Sequence, residues 1–228
     1  MKYFKICRSL KGFTLVEMAI VLMIVGLLMA AFLTPLSAQL QQNRINEARN
    51  DLSEIKEALQ GFNSANLSLP CPDTLGGDGI ADPCIGPVNN STSTGGNVPW
   101  VTLGTKPTDP WGRRYQYRVN NAFTVPLTLA TNATGGNLRV CTDFTCGASD
   151  ANSVPAVIYS SGANGAVQPP AGADELENTT VAGATFDGRF VNHEFAQLGA
   201  VNGEFDDVMD WLSTNVLIGR LVAAGQLP

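Results

Sequence analysis

Histidine occurs once in the 228 residues, at position 193, and only 15% of the side chains are charged. A single imidazole beside Glu194 supplies no H-E-x-x-H metal motif, and no serine or cysteine motif points towards it. The phosphate-binding Walker loop, the G-x-G-x-x-G fingerprint and C-x-x-C are missing as well. "SSGANG" at 160–165 is not the G-x-S-x-G nucleophile elbow. The dispersed acids single out no pair for glycoside hydrolysis. Asp206 and Asp207 are adjacent, so on a strand they would point to opposite faces. With no catalytic constellation, the chain reads as a non-enzyme.

Positive charge is scarce and unevenly placed. Lys2, Lys5, Arg8 and Lys11 sit in the first twelve residues, which hold no acid, leaving ten basic residues against twenty acidic ones beyond them. An acidic body argues against duplex nucleic acid as its general partner. Cysteine is also sparse. Cys7 lies in the basic head, and the remaining Cys71, Cys84, Cys141 and Cys146 form an even set suited to two disulfides in an oxidising compartment. Proximity pairs Cys71 with Cys84 and Cys141 with Cys146, although four cysteines allow three connectivities. The competing zinc reading has C-x12-C and C-x4-C spacings, without the close pairs of zinc ribbons. A body rich in Gly, Ser, Thr, Asn and Pro suits a loop-rich extracytoplasmic domain.

What is present begins with "RSLKGFTLVEMAIVLMIVGLLMAAFL", residues 8–33. Between Met18 and Leu33 there is no charge, yet Glu17 stands near the start of the run. A secretory signal with cleavage near "LSA" is one reading, but Glu17 interrupts its apolar core and a helical pattern follows directly. A signal anchor is another. Phe13 to Ser37 spans about 37 Å as helix, enough for a bilayer core of ~30 Å, and the basic head favours a cytoplasmic N-terminus. Neither reading accounts for Glu17, because a carboxylate in hydrocarbon needs a partner.

Further along, Ala48, Leu52, Ile55, Leu59 and Phe62 recur at steps of four and three, one apolar stripe on a polar helix. The periodicity predicts helix from about 14 to 62, with a kink or melted turn at Pro35 and a stop at Gly61 and "NSAN". Residues 67–100 read as loop, stapled by Cys71 and Cys84. Asp73, Asp78 and Asp82 there could hold calcium, but match no EF-hand spacing and fit a solvated turn better. "DPWG" is a turn, and "RRYQYRV" alternates as a strand with Tyr115, Tyr117 and Val119 on one face. Strands are also expected at 123–130, 137–144 and 154–162. One or two helices are expected over 206–228, where Val208, Leu212 and Val216 recur at fours.

"KGFTLVE" ahead of an apolar helix resembles the prepilin signature shared by type IV pilins and type II secretion pseudopilins. "DPWGRRYQY" is similar to the "DPWG-x-x-YQY" signature of the major pseudopilin, at Asp109, Pro110, Trp111, Gly112, Tyr115, Gln116 and Tyr117. The resemblance implies an α+β, pilin-like fold: a long N-terminal helix, transmembrane in its first half, packed on an antiparallel sheet head, with a C-terminal helix. It implies a leader at 1–12, a membrane and assembly segment at 13–37, an amphipathic half-helix at 38–66 and a disulfide-stapled head at 67–228. It further implies cleavage by prepilin peptidase between Gly12 and Phe13, with N-methylation of Phe13. The new amine would pair with Glu17 of a neighbouring subunit, a registry role for a buried ion pair.

In pseudopilins the "YSxGADG" loop and a downstream aspartate enclose calcium. Here Asn164 stands in place of the aspartate, a long insertion spans 166–204, and Asp206 and Asp207 match the downstream position. No cofactor other than calcium is implied. The implied partners are other pilin or pseudopilin subunits, the peptidase, the inner membrane and an assembly platform. Nucleic acid enters only as the ligand of a minor pilin. The implied location is the bacterial inner membrane with a periplasmic head, then a pseudopilus or pilus. The alternative function is a membrane-anchored binding or adhesion protein.

Overall fold

The computed structural model describes residues 12–128, 135–165, 172–179, 187–196, 200 and 203–227. The first eleven leader residues, positions 129–130 of the strand expected at 123–130, and parts of the 166–204 insertion lie outside them. So do the side chains of residues 30–38. The chain forms two compact units, 1–43 and 44–228.

Helix α1 spans Leu15–Asn66, uninterrupted in its backbone assignment through Pro35. It starts on a cap: the Thr14 hydroxyl accepts the Glu17 N–H at 3.2 Å. Thr-x-x-Glu is the capping-box sequence, and an acid in the first turn is favoured by the helix dipole. In the first unit every described side chain from Phe13 to Met29 is exposed, although the run is almost wholly apolar. Among the described residues no helix is long and apolar enough to cross a membrane.

In the second unit α1 buries one face, Ile45, Ala48, Leu52, Ile55 and Leu59. Phe62, expected on the same stripe, is only half-buried. The helix overruns Gly61 and stops where Leu67 turns left-handed (φ 59°), its N–H returning to the Asn63 carbonyl at 2.8 Å. That face packs on a four-stranded antiparallel sheet ordered β1-β2-β5-β7, where β1 is Ser93–Asn97, β2 Gln116–Asn120, β5 Ala156–Ser160 and β7 Val208–Leu212. Tyr117, Val119, Ala156, Ile158 and Leu212 meet the helix, and Lys56 reaches Asp210 at 2.8 Å. Buried Asp51 on α1 accepts from Tyr115 Oη (3.0 Å) and Lys106 Nζ (2.6 Å). Between β1 and β2 stands a four-residue helix, α2 (Trp100–Leu103).

The opposite face of the sheet is covered too. Val157 and Tyr159 pack with Leu138, Val140, Val154 and Phe190 of a second sheet ordered β4-β3-β6. Here β3 is Leu138–Cys141, β4 Ser149–Val154 and β6 Arg189–Val191, and β3 runs parallel to β6. A short helix, α3 (Ala173–Thr179), lies in the insertion, and α4 (Thr214–Ala223) buries Leu217, Ile218 and Leu221 in the helix-side core. Disulfides join Cys71 to Cys84 and Cys141 to Cys146, with Cα separations of 5.3 and 5.0 Å.

The fold is therefore the expected α+β arrangement, with local corrections. β1 falls in a stretch read as loop. Its glycines are there for close approach: a Cβ on Gly95 would come within 2.7 Å of the Arg118 guanidinium, and one on Gly96 within 2.7 Å of the Asp73 carbonyl. The described part of 123–130 is not a strand. Asn120 caps a 3-10 turn at Asn121–Phe123 by accepting from the Ala122 N–H, and Pro126 has no N–H to give a ladder. Residues 208–212 are strand rather than helix, because β7 closes the edge of β5. Val208 and Leu212 keep their inward placement, since a step of four also returns to one face of a strand.

Asp109 ties the sheet to the loop beyond it. It is 5% exposed, accepts the N–H groups of Trp111 (3.0 Å) and Arg113 (2.8 Å), and accepts the Ser160 hydroxyl at 2.5 Å. Gly112 takes φ 84° to close that turn. Asp109→Ala should lower stability by about 3 kcal/mol, through three lost charge-assisted bonds, one of them from the buried Ser160 hydroxyl. Denaturant unfolding checks this, and a change below ~1 kcal/mol would show that the turn holds without its carboxylate.

Candidate functional site

Two places gather the residues that carry chemistry. The first is the start of α1. Gly12, Phe13 and Thr14 precede the helix in irregular backbone, a Cβ on Gly12 would touch nothing within 4 Å, and Phe13 is 78% exposed. Both residues flanking the Gly12–Phe13 bond are exposed, and Glu17 is the one acid between Phe13 and Met29. A free amine at Phe13 would lie four residues ahead of Glu17.

The second place is a buried cluster of carboxylates. Asp206 and Asp207 lie just ahead of β7 rather than on a strand, so adjacency does not send them to opposite faces, and both contribute to one site. Glu175 joins them from α3. One oxygen from each lies within 4.8 Å of the others, and the three residues are 0%, 3% and 6% exposed for Glu175, Asp206 and Asp207.

Each carboxylate is held by one oxygen. Asp206 Oδ2 accepts the N–H groups of Ala163 (2.7 Å) and Asn164 (3.0 Å). Glu175 Oε2 accepts from Asn164 Nδ2 at 3.1 Å, and Asp207 Oδ2 from Asn178 Nδ2 at 2.7 Å. The other oxygens, Glu175 Oε1, Asp206 Oδ1 and Asp207 Oδ1, are buried without a hydrogen-bond partner. Gly162 makes the close packing feasible. At φ 58° it presses on Asp206, and a Cβ there would come within 2.2 Å of Oδ1. Arg113 braces the same loop from outside, donating to the Ala163 carbonyl at 2.8 Å, so the "DPWGR" turn supports this site.

Burial and neighbouring negative charge raise the protonation points of Glu175 and Asp207. Glu175 is pushed up to about 7, by desolvation first and then by Asp206, and Asp207 is raised well above its usual range by desolvation. An all-oxygen donor set suits a hard cation. Calcium bonds at about 2.3–2.6 Å place its ligand oxygens no more than ~5 Å apart, which the observed spacing satisfies.

The sequence reading named Asp206 and Asp207 but missed Glu175, which stands 31 positions ahead of Asp206 in the insertion. The nearest signal was "ELEN", which puts Glu175 and Asn178 on one helical face. Other acids serve the loops. Asp73 accepts from Gly77 and Gly79, and Asp82 from Thr74 and Leu75, so these are turn caps rather than an ion cage. His193 bonds Asp174 at 3.2 Å and stacks on Phe205, its ring centroid 3.9 Å away, contacts that fix the imidazole in the packing.

Residues 7–33 match the prokaryotic N-terminal methylation motif, and residues 36–137 match type II secretion system (T2SS) protein G. The type II secretion system core protein G of Pseudomonas aeruginosa is 29% identical over 110 residues, covering 48% of this chain and 74% of that protein. No solved structure matches the chain. A methylation motif opening a long helix that packs on an antiparallel sheet defines a pilin-type structural subunit. Over residues 7–33 and 36–137 the chain is similar to the pseudopilins of type II secretion, the family of protein G. Both matched regions end before β3, so the carboxylate cluster lies in residues that neither covers.

The raised protonation point of Glu175 sets a pH dependence. An acid at about 7 when folded and ~4.3 when unfolded binds more protons in the folded state between those values. In chelator, stability should therefore fall as pH rises from about 5 to 7, and Glu175→Gln should flatten the slope. Thermal melts across that range check it, and a rise in stability would contradict the buried cluster.

Proposed function

We propose that this chain is made as a prepilin, cut by prepilin peptidase between Gly12 and Phe13, N-methylated at Phe13, and assembled with other pseudopilin subunits into the periplasmic filament of type II secretion. The observation that carries this reading is the start of α1: a Gly12–Phe13 bond with both residues exposed, then an exposed apolar helix whose one acid is Glu17. An apolar helix face left uncovered in the single chain needs lipid before assembly and other subunits after it. The segment 13–37 supplies the anchor in the inner membrane, with the head on the periplasmic side, as the basic residues 2–11 favour. The two disulfides accord with that compartment.

Within the filament, Glu17 receives the methylated amine of a neighbouring Phe13. A carboxylate carried into an apolar bundle is stabilised only when paired, so assembly supplies what the isolated helix lacks. The subunit role also extends to its head, where Asp206 and Asp207 hold calcium. Their unpartnered buried oxygens support this reading.

Mass spectrometry of membrane-extracted protein should find the N-terminus at methylated Phe13. Retention of Met1 would refute the prepilin reading. Glu17→Ala should leave cleavage intact and reduce incorporation into sheared filaments by at least ~10-fold, the scale of a lost buried pair. Normal incorporation of that variant would remove the amine–carboxylate contact from the assembly mechanism.

A further inference from the structure

Glu175 and the two aspartates come from different parts of the chain. Asp206 and Asp207 lead into β7 of the main sheet, whereas Glu175 belongs to α3 in the 166–204 insertion. All three turn one oxygen towards a protein donor and leave the other buried and unpartnered, and one oxygen of each lies within 4.8 Å of the others around a common point. Three carboxylates so placed repel one another strongly out of water, and the donors from Ala163, Asn164 and Asn178 each reach only one oxygen of a carboxylate. A cation at the common point would offset the remaining repulsion. Its protein ligands would then tie the insertion to the sheet.

We propose that Glu175 is the third protein ligand of the calcium ion held by Asp206 and Asp207, and that the ion clasps helix α3 of the insertion to the entry of β7. This rests on the calcium reading given above and adds to it the source of the third carboxylate and the element that the ion restrains. Asn164 is built into the same joint. Its backbone N–H steadies Asp206, and its side-chain amide steadies Glu175 at 3.1 Å, so one loop residue orients a ligand on each side. Asn178, one turn beyond Glu175 on α3, makes the part of the joint that needs no metal. It donates to Asp207 and the Val191 carbonyl and accepts the Val191 N–H at 2.8 Å. Losing the ion therefore loosens α3 without undoing the core of the head, which lies on the sheet faces.

The test uses the full-length processed protein in detergent micelles. Calcium chloride is titrated calorimetrically into wild type, Glu175→Gln and the exchange variant Asn164→Asp/Glu175→Gln. Endoproteinase Glu-C, which can cut after Glu177 on α3, is applied in calcium and in EGTA. Wild type should bind calcium, and Glu175→Gln should bind at least ~10-fold more weakly, since even an outer-shell residue is worth that much. The exchange variant keeps three carboxylates across the 3.1 Å contact and should recover most of the affinity. Calcium should slow cleavage after Glu177 in wild type but not in Glu175→Gln.

Calcium binding by Glu175→Gln within twofold of wild type, with the wild type binding, would overturn the third ligand and leave calcium at the aspartates standing. Binding without protection at Glu177 would overturn the clasp. No binding by folded wild type would overturn the calcium reading itself, and this inference with it.

Discussion

The head depends on burying one face of α1, from Ile45 to Leu59, against strands that would otherwise present an apolar surface to water. The spacing of those five side chains determines which side of the helix meets the sheet, and Asp51 sits on that side as a buried acid. Its bonds to Tyr115 and Lys106 add direction to a contact that apolar area alone leaves non-directional. With the helix placed, β2 and β5 are positioned. The Asp109 turn and the Ser160 end of β5 then bring the 161–165 loop over Asp206. The carboxylate site is thus downstream of the helix–sheet contact, in both chain order and mechanical support.

Much of this was legible where local pattern and tertiary environment agree. The stripe at 48, 52, 55 and 59 is buried as periodicity requires, and Tyr115, Tyr117 and Val119 enter the same core as their alternation implies. Legibility failed where a residue's reason is a neighbour distant in sequence. Gly95 and Gly96 look like loop until Arg118 and Asp73 press against them. Val208 and Leu212 fit a helix period and a strand period equally well, and only pairing with β5 decides between them.

The site divides the same way. Glu17 and Gly12 stand in a contiguous motif, so they were visible in the sequence together, as was the threonine that caps the helix. Glu175 was not, because its meeting with Asp206 exists only once the insertion has folded back. The adjacency of Asp206 and Asp207 misled for a related reason: strand alternation applies to residues on a strand, and these two end a loop. What marks the site is the meeting of three buried carboxylates, each with an unpartnered oxygen, rather than their spacing along the chain.

The second sheet has a consequence for variation. Along β5, Ile158 faces the helix and Tyr159 faces Phe190, with ring centroids 5.8 Å apart, and all five residues of the strand are buried. A strand dry on both sides behaves like a central strand of an α/β sheet, whose register is not free to drift. Changes that alter what this subunit touches are thereby confined to its loops and insertion. Such a head can acquire a new neighbour by rewriting its connections while the strands beneath stay the same.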